Sequence, residues 1–201
     1  MLDARIRRFI DPPLNAVGAS LARRGVRANT VTGFGLAVGL MAATAVALQQ
    51  FAAAFGLIVV SRLMDGLDGA VARATAPTDR GGYLDIVSDF AFYSAVPLAF
   101  AVADPARNAL PAAALLAAFT LTCASFLAFA TLAAKRGLET TAFGLKSFFY
   151  SFGLMEGTET IIFFLVMTAF PHAFNVLAWI FAGLCLLTAL QRTLGALATF
   201  R

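Results

Sequence analysis

The sequence contains very little histidine and cysteine. Its 201 residues include one histidine, His172, and two cysteines, Cys123 and Cys185. Each cysteine lies inside an apolar stretch and lacks a neighbour at a metal-ligand spacing, so both are expected to be buried thiols. A single histidine without such partners cannot build a zinc site or a histidine-based catalytic dyad. Zinc proteases and serine hydrolases are therefore excluded.

Charged residues are also scarce. Only 13% of the residues are charged, whereas 60% are hydrophobic, and the mean hydropathy is +0.83. A soluble domain of this length cannot bury so much apolar surface in one core. A helix needs about 20 apolar residues to cross a bilayer, so the chain has room for several spans but not for a separate soluble domain. The composition predicts one integral membrane domain.

The first 28 residues combine apolar and basic side chains at helical spacings. Such a pattern is typical of an amphipathic helix on an anionic membrane surface, so residues 1–28 are predicted to lie at the interface. Pro12 and Pro13 are expected to break or restart this helix. A nucleic-acid-binding arm is the rival interpretation of the arginines, but their apolar partners argue against nucleic acid as a partner. The apolar positions are Leu2, Ile6, Phe9, Ile10, Leu14, Val17 and Leu21, and the arginines are Arg5, Arg7, Arg8, Arg23, Arg24 and Arg27.

Residues 29–201 form the predicted membrane domain, an all-α fold of six transmembrane helices. An even number of spans places both termini on one side of the lipid bilayer. Most lysines and arginines outside the spans fall on that side, while Arg107 stands nearly alone on the other. By the positive-inside rule the basic side faces the cytoplasm, so we expect a bacterial-type inner membrane protein with both termini inside. The predicted spans are 31–49, 51–72, 82–103, 109–134, 145–170 and 174–197.

The second and third spans carry charges that membrane helices normally avoid. Asp65 and Asp68 are three residues apart, and Asp85 and Asp89 are four apart, so each pair projects from one face of its helix. If the two helices are antiparallel neighbours, the four carboxylates converge and repel one another. Bound cations remove that repulsion, and oxygen-only ligands favour Mg²⁺ or Mn²⁺. Two such ions are the usual clamp for displacement at phosphorus.

The residues between the aspartates suit a phosphate ligand. Gly66, Gly69 and Gly81 remove side chains where a pyrophosphate would need close approach to the backbone, and Ala72 keeps the same region small. Arg73 is a permanent cation that can bind phosphate through two nitrogens. The alternative is purely structural: small residues commonly pack membrane helices, and the aspartates could cap helices or pair with Arg62 and Arg73.

The motif resembles the signature of the CDP-alcohol phosphatidyltransferase family. It reads Asp-x-x-Asp-Gly-x-x-Ala-Arg, then seven residues, then Gly-x-x-x-Asp-x-x-x-Asp, and it runs from Asp65 to Asp89. The six-span layout with an N-terminal interfacial helix resembles the family over most of the chain. The resemblance implies a six-helix transmembrane fold, a homodimer, and an active site open to the cytoplasm.

The resemblance also implies roles for individual residues. Asn29 and Thr32 are further expected nucleotide contacts, although Ala28 stands before Asn29 where family members often have a proline. The resemblance implies that the principal metal ligands are Asp65, Asp68 and Asp85, and that Asp89 is a metal neighbour and the general base. It also implies that the CDP group is contacted by Gly69, Ala72, Arg73 and Gly81.

The sequence leaves the acceptor open. Lys135 and Lys146 flank a cytoplasmic loop and could bind a phosphorylated acceptor, but basic residues at cytoplasmic span ends are common. Glu156 and Glu159 are predicted to lie well inside the fifth span, where carboxylates are functional candidates. They could line the acceptor pocket and favour an amino alcohol or a polyol, or they could pair with Arg62 or Arg192 as structural counter-charges.

The function that these features favour is transfer of a phosphatidyl group from CDP-diacylglycerol to an alcohol, with release of CMP, by a two-metal mechanism. A CDP-choline or CDP-ethanolamine phosphotransferase acting on a lipid acceptor is the alternative within the class. A divalent-cation transporter is the alternative outside it, but transport predicts polar residues continuing to the far side. A membrane scaffold without catalytic activity explains neither the charges nor their spacing.

Overall fold

The fold is all-α, as predicted. A computed structural model of the protein describes residues 2–137 and 153–200, and these residues contain seven α-helices, a short 3-10 turn at Pro171–Ala173 and no β-strand. The α-helices are α1 (Leu2–Arg23), α2 (Ala28–Ala47), α3 (Phe51–Ala74), α4 (Asp79–Ala103), α5 (Pro105–Lys135), α6 (Gly157–Ala169) and α7 (Phe174–Thr199).

Four stretches within the described residues are long and apolar enough to cross a membrane. They are α2, α4, α5 and Pro171–Thr199. Helix α3 has 24 residues, but its second half carries the charged motif, and α6 has 13 residues. The start of the predicted span 145–170 lies outside the described residues up to position 152. The all-helical architecture with several membrane-length helices is confirmed, and the count of six spans stays a prediction.

Helix α1 continues through Pro12 and Pro13, so the predicted break is wrong. Each proline removes a backbone donor, but α1 is held by packing along the second half of α3. At Gly18 the two helices are so close that an added Cβ would lie 2.7 Å from the Cβ of Ala70. Tertiary packing thus overrides the local preference of the prolines. The interfacial position of this helix stays a prediction.

Hydrogen bonds join the helix ends at one end of the bundle. Gln49 closes the turn between α2 and α3 with a φ of 60°, and its Nε2 donates to the carbonyl of Ala103 at 2.8 Å. Asn175 at the start of α7 donates to the carbonyl of Arg107 near the start of α5 at 2.9 Å. The α3–α4 connection and the end of α5 therefore lie at the opposite end, together with the charged motif.

Phenylalanine rings fill the core between α4, α5, α6 and α7. The rings of Phe100 and Phe174 stack with their centroids 4.2 Å apart, and Phe119 meets Phe181 edge to face at 5.3 Å. Phe164 of α6 lies edge to face against Phe92 of α4 at 5.8 Å. Large buried aromatic areas with favourable ring geometry hold these helices together. They fix α4 as a rigid support for the aspartates at its start.

Candidate active site

Helix α2 packs against both helices that carry the charged motif, α3 and α4. Ser61 of α3 donates to the carbonyl of Gly35 at 2.8 Å. A Cβ added to Gly39 would lie 2.7 Å from the Phe92 ring of α4 and 2.9 Å from Ser61 Oγ. By contrast, α3 and α4 make few close backbone contacts with each other. Helices α3 and α4 therefore meet chiefly through the side chains of the charged motif, such as Arg62 and Asp89.

Three of the four predicted carboxylates converge in this gap. Asp65, Asp68 and Asp85 each place one carboxylate oxygen within 4.8 Å of the other two. Asp68 is buried, with 5% of its surface exposed, and its Oδ2 has no hydrogen-bond partner among the described residues. Asp65 and Asp68 lie on one face of α3 because they are three residues apart, and Asp85 comes from the first turns of α4.

This arrangement fits a divalent cation. Three carboxylates so close together repel one another, and a buried carboxylate oxygen without a partner is costly. A hard cation removes both penalties, and carboxylate oxygens are the ligands that Mg²⁺ and Mn²⁺ prefer. Asp65, Asp68 and Asp85 are therefore the residues that could hold a metal ion.

Asp89 lies outside this group of three and pairs with Arg62 instead. The Nη1 of Arg62 donates to Asp89 Oδ1 at 2.7 Å and lies 3.5 Å from Asp65 Oδ1. Its guanidinium also lies over the Phe92 ring, 4.2 Å from the centroid. In this structure Asp89 Oδ1 contacts the guanidinium of Arg62, so the role of Asp89 as a metal neighbour stays a prediction.

The residues predicted to hold the nucleotide form two adjacent groups. Asn29, at the start of α2, lies beside Gly81: an added Cβ at Gly81 would be 3.2 Å from Asn29 Oδ1. Thr32, one turn further along α2, contacts Asp68 and also bonds the carbonyl of Ala28 at 3.1 Å. The first group therefore borders the carboxylates, between the starts of α2 and α4.

The second group lies near the end of α3. Arg73 Nη1 would be 3.2 Å from a Cβ added to Gly69, and Arg73 Nη2 donates to Asn15 Oδ1 of α1 at 2.9 Å. Ala72, beside Arg73, is half-buried. At Gly66 an added Cβ would meet Leu14 of α1 at 2.8 Å, and its predicted contact with the nucleotide stays a prediction. Its missing side chain makes room for α1.

The structure describes three of the four residues proposed from sequence for the acceptor. Glu156 is the N-cap of α6 and Glu159 lies in the first turn, where it accepts a hydrogen bond from the Glu156 N–H at 3.3 Å. Both were expected deep inside a span, so their placement at a helix start is a correction. Lys135 ends α5, and Lys146 lies outside the described residues. Arg192 of α7 interacts electrostatically with Glu156, which favours the counter-charge interpretation for that residue.

Sequence reasoning included one contact of this site as an alternative and missed another. Pairing of the aspartates with Arg62 was the structural alternative, and Arg62 lies one turn before Asp65 on the same helix and bonds Asp89. The contact between Asn15 and Arg73 joins residues that are distant in sequence. The sequence contains no signal for that contact, because it depends on how α1 packs against α3.

Known proteins resemble this chain over the region that contains the site. The family model for CDP-alcohol phosphatidyltransferase matches residues 26–191. The inner membrane protein YnjF of Escherichia coli (strain K12) is 43% identical over 201 residues, which cover 100% of this chain and 98% of that protein. The archaetidylinositol phosphate synthase of Pyrococcus horikoshii is 36% identical over 87 residues, 43% of this chain and 46% of that protein.

Solved structures show the same fold. The phosphatidylinositol phosphate synthase PgsA1 of Mycobacterium tuberculosis with CDP-DAG bound superposes with a TM-score of 0.66 at 24% identity, covering 91% of this chain and 92% of that one. The same enzyme in complex with manganese and citrate gives 0.67 at 23% identity, covering 92% and 88%. Since the family match spans most of the sequence, including the whole charged motif, the chain belongs to the CDP-alcohol phosphatidyltransferase family.

Proposed function

We propose that the protein transfers a phosphatidyl group from CDP-diacylglycerol to an alcohol and releases CMP, with the help of a divalent metal. The observation that carries this proposal is the group formed by Asp65, Asp68 and Asp85, in which a buried oxygen of Asp68 has no hydrogen-bond partner among the residues that the structure describes. The match to PgsA1 supports the choice of donor and metal, because that enzyme was solved with CDP-DAG and, separately, with manganese.

The described residues suggest how the reaction proceeds. A divalent ion held by the three carboxylates would neutralise the diphosphate of the donor and the leaving CMP. Arg73, exposed at the end of α3, can bind the same diphosphate through its guanidinium. Asn29 and Thr32 border the carboxylates from α2, where they can orient the nucleotide.

Asp89 is the proposed general base. The acceptor oxygen attacks the phosphorus of the phosphatidyl group, the bond from that phosphorus to the CMP oxygen breaks, and CMP leaves with the electron pair. The proton of the acceptor hydroxyl passes to the carboxylate of Asp89. The charge-assisted hydrogen bond from Arg62, at 2.7 Å, fixes the orientation of that carboxylate.

A first prediction tests the activity and its metal dependence. Purified protein in detergent should release CMP from CDP-diacylglycerol in the presence of Mg²⁺ and the correct alcohol. EDTA should abolish release, and added Mg²⁺ or Mn²⁺ should restore it. The acceptors to be compared are inositol phosphate, glycerol phosphate, inositol, serine, ethanolamine and choline. Full activity after rigorous chelation would contradict the proposed role of the carboxylates.

We further propose that the protein lies in the cytoplasmic membrane with the carboxylates facing the cytoplasm. The basic residues Arg73, Arg80 and Lys135 lie at the same end of the bundle as the carboxylates, whereas Arg107 lies at the other. This asymmetry follows the positive-inside rule. Assembly as a homodimer, implied by the family resemblance, stays a prediction.

A second prediction tests this orientation. A cysteine in place of Asp79, at the start of α4, should react with an impermeant thiol reagent in inverted vesicles and not in intact cells. A cysteine in place of Arg107, at the opposite end, should show the reverse pattern. Both variants are made in a protein whose native cysteines, Cys123 and Cys185, have been replaced, so that only the introduced cysteine can react. Labelling of the Asp79 position from outside intact cells would overturn the proposed topology.

A further inference from the structure

The side chain of Arg73, at the end of α3, is held from α1. Its Nη2 donates to the Oδ1 of Asn15 at 2.9 Å. A long side chain on a helix points back towards the N-terminus, and the Nη1 of Arg73 accordingly would be 3.2 Å from a Cβ added to Gly69, one turn earlier. The missing side chain of Gly69 therefore leaves the guanidinium its place on α3, and Asn15 holds it there.

Helix α1 has a fixed register against α3 at this point. The Cδ1 of Leu14 would lie 2.8 Å from a Cβ added to Gly66, and a Cβ added to Gly18 would lie 2.7 Å from the Cβ of Ala70. Leu14 and Gly18 are four residues apart, as are Gly66 and Ala70, so the two contacts are about one turn apart on each helix. Asn15 lies between them along α1. Its position is therefore set by helix packing and does not depend on its bond to Arg73.

The bond between Asn15 and Arg73 is poorly placed to stabilise the fold. Both side chains are exposed, and an exposed hydrogen bond contributes little to stability because water replaces it. The bond does restrict the conformations of Arg73. A free arginine side chain loses much rotamer entropy when it binds a ligand, whereas a side chain that is already oriented loses less and binds more tightly.

The chemistry of Asn15 suits this role. An amide oxygen accepts a hydrogen bond but carries no net charge, so the guanidinium keeps its full positive charge. A carboxylate in the same place would compete with a phosphate for the guanidinium. Because Gly69 directly follows Asp68 of the carboxylate group, a diphosphate bound at the carboxylates is within reach of the oriented guanidinium.

We propose that Asn15 is a positioning residue of the donor site: it orients the guanidinium of Arg73 and so strengthens binding of the donor's diphosphate, and α1 is thereby part of that site. This proposal rests on the proposed phosphatidyl transfer, in which Arg73 binds the diphosphate. It gives a role in donor binding to a residue outside both the aspartate motif and the predicted membrane domain.

Binding of CDP to the purified full chain tests the proposal. The dissociation constant is measured by isothermal titration calorimetry in detergent with saturating Mg²⁺, and CDP is the probe because it carries a diphosphate without the lipid. Asn15→Ala should weaken CDP binding about tenfold, and Arg73→Gln should weaken it at least as much. In the Arg73→Gln background, Asn15→Ala should have little further effect, because the group that it orients is absent.

Asn175→Ala is the matched control. Asn175 also makes an exposed hydrogen bond between helices, to the carbonyl of Arg107 at 2.9 Å, but at the opposite end of the bundle. Its loss should leave CDP binding unchanged. In the transfer assay, Asn15→Ala should raise KM for CDP-diacylglycerol about tenfold and keep kcat within about twofold of the parent, whereas a general loss of structure would lower kcat as well.

The proposal is overturned if Asn15→Ala keeps a dissociation constant within about twofold of the parent, or if it weakens CDP binding equally with and without Arg73. If Asn15→Ala does not fold, Asn15→Leu, which keeps the shape of the side chain, decides by the same criteria. A native chain that does not bind CDP overturns the proposed role of both residues. If CDP binding depends on Asn15 and Arg73 as expected but no alcohol supports CMP release, the positioning role stands and the proposed transfer fails.

Discussion

Replacing Asp65 with asparagine should lower the metal-dependent rate of CMP release at least about a hundredfold, equivalent to about 2.7 kcal/mol of transition-state stabilisation. Asp65 belongs to the group of three carboxylates and also lies 3.5 Å from Arg62. The amide keeps the size of the side chain but loses its charge, so the ion and the arginine both lose a partner. The measurement is kcat/KM for CDP-diacylglycerol at saturating Mg²⁺.

Asp104→Asn is the matched control for this variant. Asp104 caps α5 at the far end of the bundle, where its Oδ1 accepts from the Arg107 N–H at 3.2 Å. Asparagine caps helices about as well as aspartate, so this variant should keep nearly the parent rate. If Asp65→Asn also stays within about threefold of the parent, Asp65 is not a metal ligand in the reaction.

Replacing Asp89 with asparagine should lower the chemical step by roughly a thousandfold, within the usual range for loss of a general base. An amide cannot take the proton of the acceptor hydroxyl. The ion should still bind, because Asp65, Asp68 and Asp85 are unchanged and lie together without Asp89. The measurement is the single-turnover rate of CMP release at increasing Mg²⁺ concentration.

Asp68→Asn provides the comparison for Asp89→Asn. Asp68 belongs to the carboxylate group, so its loss should weaken metal binding and be partly rescued by excess Mg²⁺. Asp89→Asn should not be rescued at any Mg²⁺ concentration. Recovery of Asp89→Asn to nearly the parent rate would mean that Asp89 acts as a ligand and not as an essential base.

The convergence of the aspartates could be predicted because helical periodicity is a local property. Spacings of three and four residues place Asp65 with Asp68, and Asp85 with Asp89, on common helix faces whatever the rest of the fold does. The short connection between α3 and α4 brings both pairs to one end of the bundle. The all-helical fold follows equally directly from composition.

The contacts between helices could not be predicted in the same way. Sequence reasoning placed Gly66 beside the nucleotide, and it contained no signal that Leu14 of α1 also lies against this glycine. Which residue faces a glycine depends on helix packing, and the pattern of small residues is the same for a ligand and for a neighbouring helix. The continuity of α1 through Pro12 and Pro13 has a similar origin, because its packing against α3 outweighs the cost of the prolines.

The separation of Asp89 from the other carboxylates also depends on packing. Sequence spacing gives Asp85 and Asp89 the same helix face, yet Asp85 joins the group of three and Asp89 bonds Arg62. The difference arises because Phe92 and Ser61 seat the guanidinium beside Asp89. A motif therefore identifies the residues of a site more readily than it predicts which of them contact one another.

The fate of the donor's two phosphorus atoms tests the proposed reaction most directly. CDP-diacylglycerol labelled only at the phosphorus next to diacylglycerol is incubated with the purified protein, Mg²⁺ and the acceptor that supports CMP release. Phosphatidyl transfer predicts that all of the label lost from the donor appears in a new lipid and that the CMP is unlabelled. Labelled phosphate or CDP without a labelled lipid product would contradict phosphatidyl transfer, as would the absence of any product with every acceptor tested.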